Sequence, residues 1–392
     1  MFFVGIDVGG THIKFGLIKD NEIVRKMSLA TNTFDVIKQI VNGVGELVSS
    51  EGLTQDDIFG ISVGFPGIVV DSVVLDSPNM GIQNCNLKEI LEKEFDGKPV
   101  VVKNDAEMAA LAEHRFGAGR NAQNMILITL GTGVGGGIII DGKLYTGVGG
   151  AGELGHIVID RNGRKCSCGR TGCAEQHVSL TALDRIAKET MVNYPNTCVT
   201  ESGEGSVYAS ELVRAYKKND ACAIEILDKY VNELSSYVLS ICNLFRPEKI
   251  VIGGGVAYAP EIIEKVSKKC KEENYGYKNA PKVDIVVAEL GNDAGILGAS
   301  VCLESVDITG GEFENYTSLE DMLEASEESV DEEVVEAEKM GDNSILDAIA
   351  EESKNENSLE IETDLEMTEG SEDIVYDENL LNRVNNLLKK KD

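Results

Sequence analysis

His156, Cys166, Cys168 and Cys173, followed by Glu175, lie in one short stretch, GELGHIVIDRNGRKCSCGRTGCAEQHVS. A Cys-x-Cys pair separated from a third cysteine by a glycine-containing turn brings three thiolates around one point. The upstream histidine supplies the fourth corner of a tetrahedral zinc site. Four protein ligands close the coordination sphere, which points to a structural metal and leaves Glu175 beside it as a free carboxylate. The competing reading of the same residues is a pair of buried thiols or a disulfide.

Two glycine-rich turns suggest anion chemistry. Gly9 and Gly10 in DVGGT, and Gly131, Gly133, Gly135 and Gly136 in LGTGVGGG, let backbone N–H groups approach a polyphosphate without a Cβ in the way. Thr11 and Thr132 add hydroxyls at matching places. The first turn is preceded by Asp7 and the second by Leu130. A single carboxylate beside a phosphate cradle suits Mg²⁺, which binds through one or two carboxylates and keeps its waters. A tight turn between strands is the plainer reading of either turn alone; their repetition with one aspartate favours the anion. A third cluster, KIVIGGGVAYAPEII, follows a strand and opens a helix, so Gly254 and Gly255 could lie along an adenosine. It has neither a Walker ending nor dinucleotide spacing.

In PVVVKNDAEMAALAEHRFGAG the strand Val100–Val102 runs into Lys103, Asn104 and Asp105 before a helix. Strand ends are where α/β proteins place reactive groups, so Asp105 is a candidate catalytic carboxylate. It could equally be the N-cap of the helix. Asn104, Glu153, His156 and Glu175 are polar groups in glycine-rich or apolar surroundings, a set that suits a polyhydroxylated ligand. His12, His114 and His177 lack such a setting and read as surface or packing residues.

The elements that must hold these groups alternate apolar runs with helical patterns, an α/β architecture. An internal repeat organises it. FFVGIDVGGTHIKFGLIKDNEIVRK reads as strand, glycine turn, strand, two-residue Asp-Asn turn and strand, and MILITLGTGVGGGIIIDGKLYTG repeats the layout with Asp141–Gly142.

At 392 residues the chain has room for two or three domains. The formal charge of −31 is uneven: about 29 of the 67 acidic and about 6 of the 36 basic residues follow Leu303. That tail, from about Glu304 to Asp392, has few aromatics and no proline, and its composition predicts a largely disordered segment. Two patches at helical spacing interrupt it, Ile345 to Ile349 and Leu380 to Leu388; the second could dock on the body or on a partner that the sequence does not identify. No basic stripe offers a phosphate-backbone surface, which excludes nucleic acid as a partner. No uncharged apolar run approaches the length of a membrane span. The start, MFFVGIDVGG, reads as a strand rather than a secretory leader. Of nine cysteines, Cys85, Cys198, Cys222, Cys242, Cys270 and Cys302 are scattered singly, which suits a reducing cytosol.

The segments DVGGTHIKFGLIKD, GFPGIVVD, KNDAEMAALAE, LGTGVGGGIIIDG, GELGH and CSCGRTGCAE occur in an order that resembles the ROK family of sugar kinases and transcriptional regulators, and within it the bacterial ATP-dependent glucokinase group. The resemblance runs from residue 1 to about 303. It implies the actin-like ATPase fold, a duplication of two ribonuclease H-like domains with ATP and sugar meeting in the cleft between them. The domains would be 1–115, completed by a helix at 293–303, and 116–292, with 304–392 outside the family pattern. It implies ATP-dependent phosphorylation of the 6-hydroxyl of a hexose, glucose first, with Asp105 as general base. Gly67, Asn79, Asn104, Asp105, Glu153, His156 and Glu175 would hold the sugar. Asp7, Gly9, Gly10, Thr11, Gly131, Thr132, Gly133, Gly254 and Gly255 would hold ATP, with Asp7 on Mg²⁺ and the zinc structural. His156 would offer one ring nitrogen to zinc and the other to the sugar. Kinases of this family for N-acetylglucosamine, N-acetylmannosamine, fructose, mannose or allose use much the same residues, and Ile82 stands where many relatives carry an aromatic, usually tryptophan. A non-catalytic sugar-sensing protein would leave Asp7 and Asp105 unexplained. A regulator of the family would carry a helix-turn-helix before the first strand, where Met1 leaves no room. Family members are commonly dimers or tetramers.

Overall fold

The computed structural model describes residues 2–200, 205–276 and 278–304, all within one compact unit. The acidic segment after Glu304, with both of its apolar patches, lies outside the described residues. The order begins with β1 (Phe2–Val8), β2 (His12–Lys19), β3 (Glu22–Ala30) and α1 (Val36–Ser50), then β4 (Ile58–Phe65). β5 (Ile68–Val70), β6 (Val73–Ser77) and β7 (Ile82–Cys85) follow, then α2 (Leu87–Glu94), β8 (Val100–Asn104) and α3 (Asp105–Arg115). The second half holds β9 (Met125–Leu130), β10 (Val134–Ile140), β11 (Lys143–Leu144), α4 (Glu175–Val178), α5 (Leu180–Met191), α6 (Ala209–Lys217) and α7 (Ala221–Phe245). It ends with β12 (Lys249–Gly254), α8 (Pro260–Glu273), β13 (Asp284–Val287) and α9 (Ala294–Glu304).

The duplication expected from sequence is visible in the sheets. One has the order β3-β2-β1-β4-β8 and the other β11-β10-β9-β12-β13. In each, an antiparallel meander supplies the first strands and parallel partners extend the central one, β1 beside β4 and β9 beside β12. The hairpin turns match as well: Asp20 and Asn21 in the first copy, Asp141 and Gly142 in the second, take the left-handed conformation that two-residue hairpins require. This is the actin-like, duplicated ribonuclease H-like architecture.

Each sheet buries an aliphatic face. Val4, Ile6, Val8, Phe15 and Leu17 pack with Ile40, Val44 and Leu47 of α1 in the first half. The second core is larger, built on Ile126, Ile128 and Leu130 with Leu234, Tyr237 and Ile241 of α7. Between the sheets run α3 and α9. α9 packs on β1 and β4, α3 packs on β9 and β10, and the two helices pack on each other. Their approach needs missing side chains: a Cβ on Gly137 of β10 would lie 2.4 Å from the Ala110 Cβ of α3, and one on Gly298 of α9 would lie 2.1 Å from the Met108 carbonyl oxygen.

Two features were not legible beforehand. A small third sheet, β5-β6-β7, projects after Pro66. Glu113, buried at the end of α3, accepts from Ala118 N at 2.9 Å, Glu289 N at 3.2 Å and Leu290 N at 2.8 Å, tying the approach to α9 back onto α3. None of the described helices is long and apolar enough to cross a membrane.

Candidate active site

The C-terminal ends of β1, β4, β8, β9 and β12 open onto one cleft of about 460 Å³, the edge where open α/β sheets receive ligands. Of the residues singled out from sequence, Gly9, Gly10, Gly67, Asn79, Asn104, Asp105, Gly131, Gly133, Glu153, His156, Glu175 and Gly254 line it, as do Gly135 and Gly136. Asp7, Thr11, Thr132 and Gly255 do not. A Cβ on Gly255 would meet the Leu180 side chain at 2.4 Å, so that glycine serves packing. Gly135 and Gly136 have a second reason to be bare. Added Cβ atoms would lie 3.0 Å from the Ala106 Cβ and 2.5 Å from the Gly152 carbonyl oxygen, respectively.

Asp105 opens α3, but the helix is capped by Asn104, whose side-chain oxygen accepts from Ala106 N at 2.8 Å and Glu107 N at 3.3 Å. Glu107 completes the capping box by accepting from Asn104 N. Asp105 therefore is not the cap. Its Oδ1 accepts one bond, from Ala106 N at 2.9 Å, and its carboxylate faces the cleft. Burial pushes its pKa up to about 6, helped by the negative charges of Asp7 and Glu153 and opposed by the Ala106 amide. Such a group is ionised at neutral pH yet basic enough to take a proton. Glu107, buried at the cleft wall, is also shifted upward by desolvation; its capping role explains its position, and no sequence signal beyond the Asn-x-x-Glu spacing marks it.

Asn104 donates from Nδ2 to the Gly67 carbonyl at 2.9 Å, so one of its amide hydrogens is left for a ligand. Gly67 takes φ of 110°, and a Cβ there would sit 2.2 Å from the Asp76 carbonyl oxygen. Glu175 begins α4 and its Oε2 accepts from Val134 N at 3.2 Å. His156 presents Nδ1 to Cys166 Sγ at 3.6 Å and Nε2 to Glu153 Oε2 at 4.0 Å. One ring nitrogen thus faces the thiols and the other the cleft. Desolvation raises the Glu153 pKa, and His156 opposes it.

The ligand atoms of His156, Cys166, Cys168 and Cys173 all lie within 4.8 Å of one another. Cys168 and Cys173 have Sγ atoms 3.6 Å apart and all three cysteines are free thiols. A disulfide would need about 2.05 Å. Zinc–sulfur bonds of about 2.3 Å in a tetrahedron put ligand atoms about 3.8 Å apart, so the set fits zinc. The loop contains no extended strand: two isolated bridges, Val158 to Cys173 and Lys165 to Thr171, and turn bonds such as Cys166 N to the Arg170 carbonyl and Gly172 N to the Arg164 carbonyl hold its backbone. Ser167 and Cys168, within this loop, reach the cleft wall.

Asp7 lies behind the Gly9–Gly10 turn. Its side chain meets the Lys14 ammonium at 2.9 Å, and Gly295 of α9 passes close beneath it. A carboxylate here, next to a bare glycine turn, fits a Mg²⁺ ligand in its donor chemistry. Ile82, in β7 opposite Ser77, packs against the first core and does not line the cleft. His114 donates from Nε2 to the Ala122 carbonyl, 2.8 Å away, and His177 stands 3.6 Å from Glu233. Both hold packing positions, as expected; His12 is exposed at the start of β2.

The ROK family pattern matches residues 3–305. A glucokinase of Halalkalibacterium halodurans is 38% identical over 308 residues, covering 76% of this chain and 93% of the relative. An N-acetylmannosamine kinase of Haemophilus influenzae is 29% identical over 308 residues, covering 77% of this chain and 95% of its own length. Among solved structures, a ROK family glucokinase from Streptomyces griseus in complex with glucose and AMPPNP superposes with a TM-score of 0.67 at 32% identity, covering 77% of this chain and 99% of that one.

Proposed function

This chain belongs to the ROK family, and from that premise we propose that it is an ATP-dependent hexose kinase acting on the 6-hydroxyl, with glucose as the preferred sugar. The observation that carries the reading is the convergence in one cleft of Asp105, a carboxylate with its pKa at about 6, and the two glycine turns after β1 and β9. The glucokinase relatives, one of them solved with glucose and AMPPNP, support it.

In this reading Asp105 accepts the proton of the sugar 6-hydroxyl as that oxygen attacks the γ-phosphate. Phosphoryl transfer depends on positioning and charge stabilisation more than on covalent chemistry by the protein. Asn104, with its remaining amide hydrogen, Asn79, Gly67, Glu153, Glu175 and the His156 Nε2 side hold the sugar. The amides of the Gly9–Gly10 and Gly131–Gly133 turns receive phosphate oxygens, and Gly254 gives the nucleoside a flat approach. Mg²⁺ held at Asp7 would neutralise phosphate charge, and zinc on His156 and the three cysteines would fix the loop that bears Glu175. The two sheets are assigned to two lobes, 1–115 with α9 and 116–292, which close on the substrates. A cytosolic location and a homodimer or homotetramer complete the proposal.

A second reading, an N-acetylhexosamine kinase, is favoured by the 29% identical N-acetylmannosamine kinase. ADP release should be measured with Mg²⁺ and ATP against glucose, mannose, fructose, allose, N-acetylglucosamine and N-acetylmannosamine. Glucose is expected to give the highest kcat/KM. An acetylated sugar in first place would transfer the reading to the second, and no turnover with any of them would remove the kinase reading.

A further inference from the structure

Between His156 and Glu175, Ser167 reaches the cleft wall although it is neither a donor of the four-atom cluster nor one of the residues assigned to the sugar. It stands between two of those donors, Cys166 and Cys168. The turn that carries it is closed by Cys166 N to the Arg170 carbonyl at 2.8 Å and by Gly169 N to the Cys166 carbonyl at 3.1 Å. A held backbone behind an exposed side chain is what discrimination between similar ligands requires. The Ser167 hydroxyl lies 4.0 Å from Cys166 Sγ and has no closer hydrogen-bond partner among the described residues. Sulfur is a weak acceptor, so this hydroxyl is available to a ligand.

The part of a sugar that would meet it follows from the order of groups along the cleft. The negative charge of Glu153 is felt at Asp105. Glu153 Oε2 stands 4.0 Å from His156 Nε2, and His156 Nδ1 stands 3.6 Å from Cys166 Sγ, the neighbour of Ser167. Asp105 and Ser167 are thus the two ends of one series. In a hexopyranose the C6 carbon hangs from C5, and the ring atom across from C5 is C2. A sugar that places its 6-hydroxyl at Asp105 therefore turns its 2-substituent toward the turn that carries Ser167. That substituent is also where glucose, mannose and the N-acetylhexosamines differ.

We propose, resting on the kinase reading above, that Ser167 is a specificity-determining residue that senses the 2-position of the sugar. Its hydroxyl bonds the 2-hydroxyl of a hexose, and a sugar without that hydroxyl forfeits the bond. A 2-acetamido group, several atoms larger, presses on a turn closed at both cysteines.

The test is sugar binding by calorimetry without ATP, comparing the unaltered full chain, Ser167→Ala and Ser167→Thr against glucose, 2-deoxyglucose and 6-deoxyglucose. Loss of one neutral hydrogen bond predicts about three- to tenfold weaker binding of glucose and of 6-deoxyglucose in Ser167→Ala, with 2-deoxyglucose unchanged. Ser167→Thr keeps the hydroxyl and should recover most of the loss. In steady-state assays the loss should fall on KM for glucose and leave kcat in place, and Ser167→Gly should raise kcat/KM for N-acetylglucosamine relative to glucose. Zinc content, read by metal analysis, should be the same in every variant, since Ser167 is not a donor. Equal loss for glucose and 2-deoxyglucose, or loss for neither, would overturn the inference and leave the kinase reading standing. Absence of both sugar binding and turnover in the unaltered chain would overturn both.

Discussion

At Asp105, burial and two neighbouring carboxylates oppose ionisation while the Ala106 amide favours it, and the balance sets a pKa of about 6. A base must be deprotonated to act, so kcat/KM for the sugar should fall tenfold per pH unit below about 6. Because Glu153 is one of the groups raising the value, Glu153→Gln should move that acid limb to lower pH, whatever it does to the height of the profile. A limb that stays in place would separate Glu153 from Asp105. Asp105→Asn should remove nearly all turnover, by about 10² to 10⁴, while sugar binding measured by calorimetry survives in part; equal loss of both would contradict its role as base. The same shift has a stability consequence. Raised from 3.8 to about 6, Asp105 holds its proton more tightly in the folded chain, so its contribution favours folding below pH 3.8 and is lost as pH rises through 6. Asp105→Asn should therefore raise the melting temperature by about 2–5 °C at pH 8 and by less at pH 4. The candidate base was legible because a strand-end aspartate is a local pattern. Its cap was not, since Asn104 and Asp105 are both good capping residues and only the backbone decides between them.

At the scale of elements, the sequence repeats were easily read, because two meanders with matching turns leave a mark over some twenty positions each. The third sheet was not, since β5 to β7 span three to five residues apiece, too short to show a period. The glycines of β10 were attributed to an anion, and half of that attribution belongs to helix packing. Gly137→Ala should destabilise the fold by about 1–3 kcal/mol in urea unfolding, because its Cβ would overlap Ala110. Glu113→Ala should cost about 3 kcal/mol, since one buried and two part-buried amides would lose their acceptor. In the loop from His156 to Glu175, which has only isolated bridges and turns, the four clustered donor atoms would add a metal crosslink. Cys168→Ser should lower zinc content, read by metal analysis, and melting temperature together. Full zinc and unchanged melting would refute the assignment of Cys168 as a ligand.

At the scale of the molecule, every group assigned to the cleft precedes α8, and the family pattern ends at residue 305. A chain cut after Glu304 should keep kcat/KM within about twofold, as expected of a body with its own cores; a larger change would tie the acidic segment to the reaction. The overall duplication was predictable from the sequence, whereas the size of the cleft and the order of its lining are products of two sheets and two intervening helices meeting, which no single stretch of chain encodes. One amide side chain spans that assembly. Asn104 holds the first turn of α3 with its oxygen and the Gly67 carbonyl with its nitrogen, so the aim of Asp105 and the seat of the β5–β7 sheet are not independent variables. Anyone exchanging residues 66–85 to redirect sugar choice would be retuning the chemistry at the same time, and a graft that binds its new sugar tightly should still turn over slowly until position 104 is re-fitted to it.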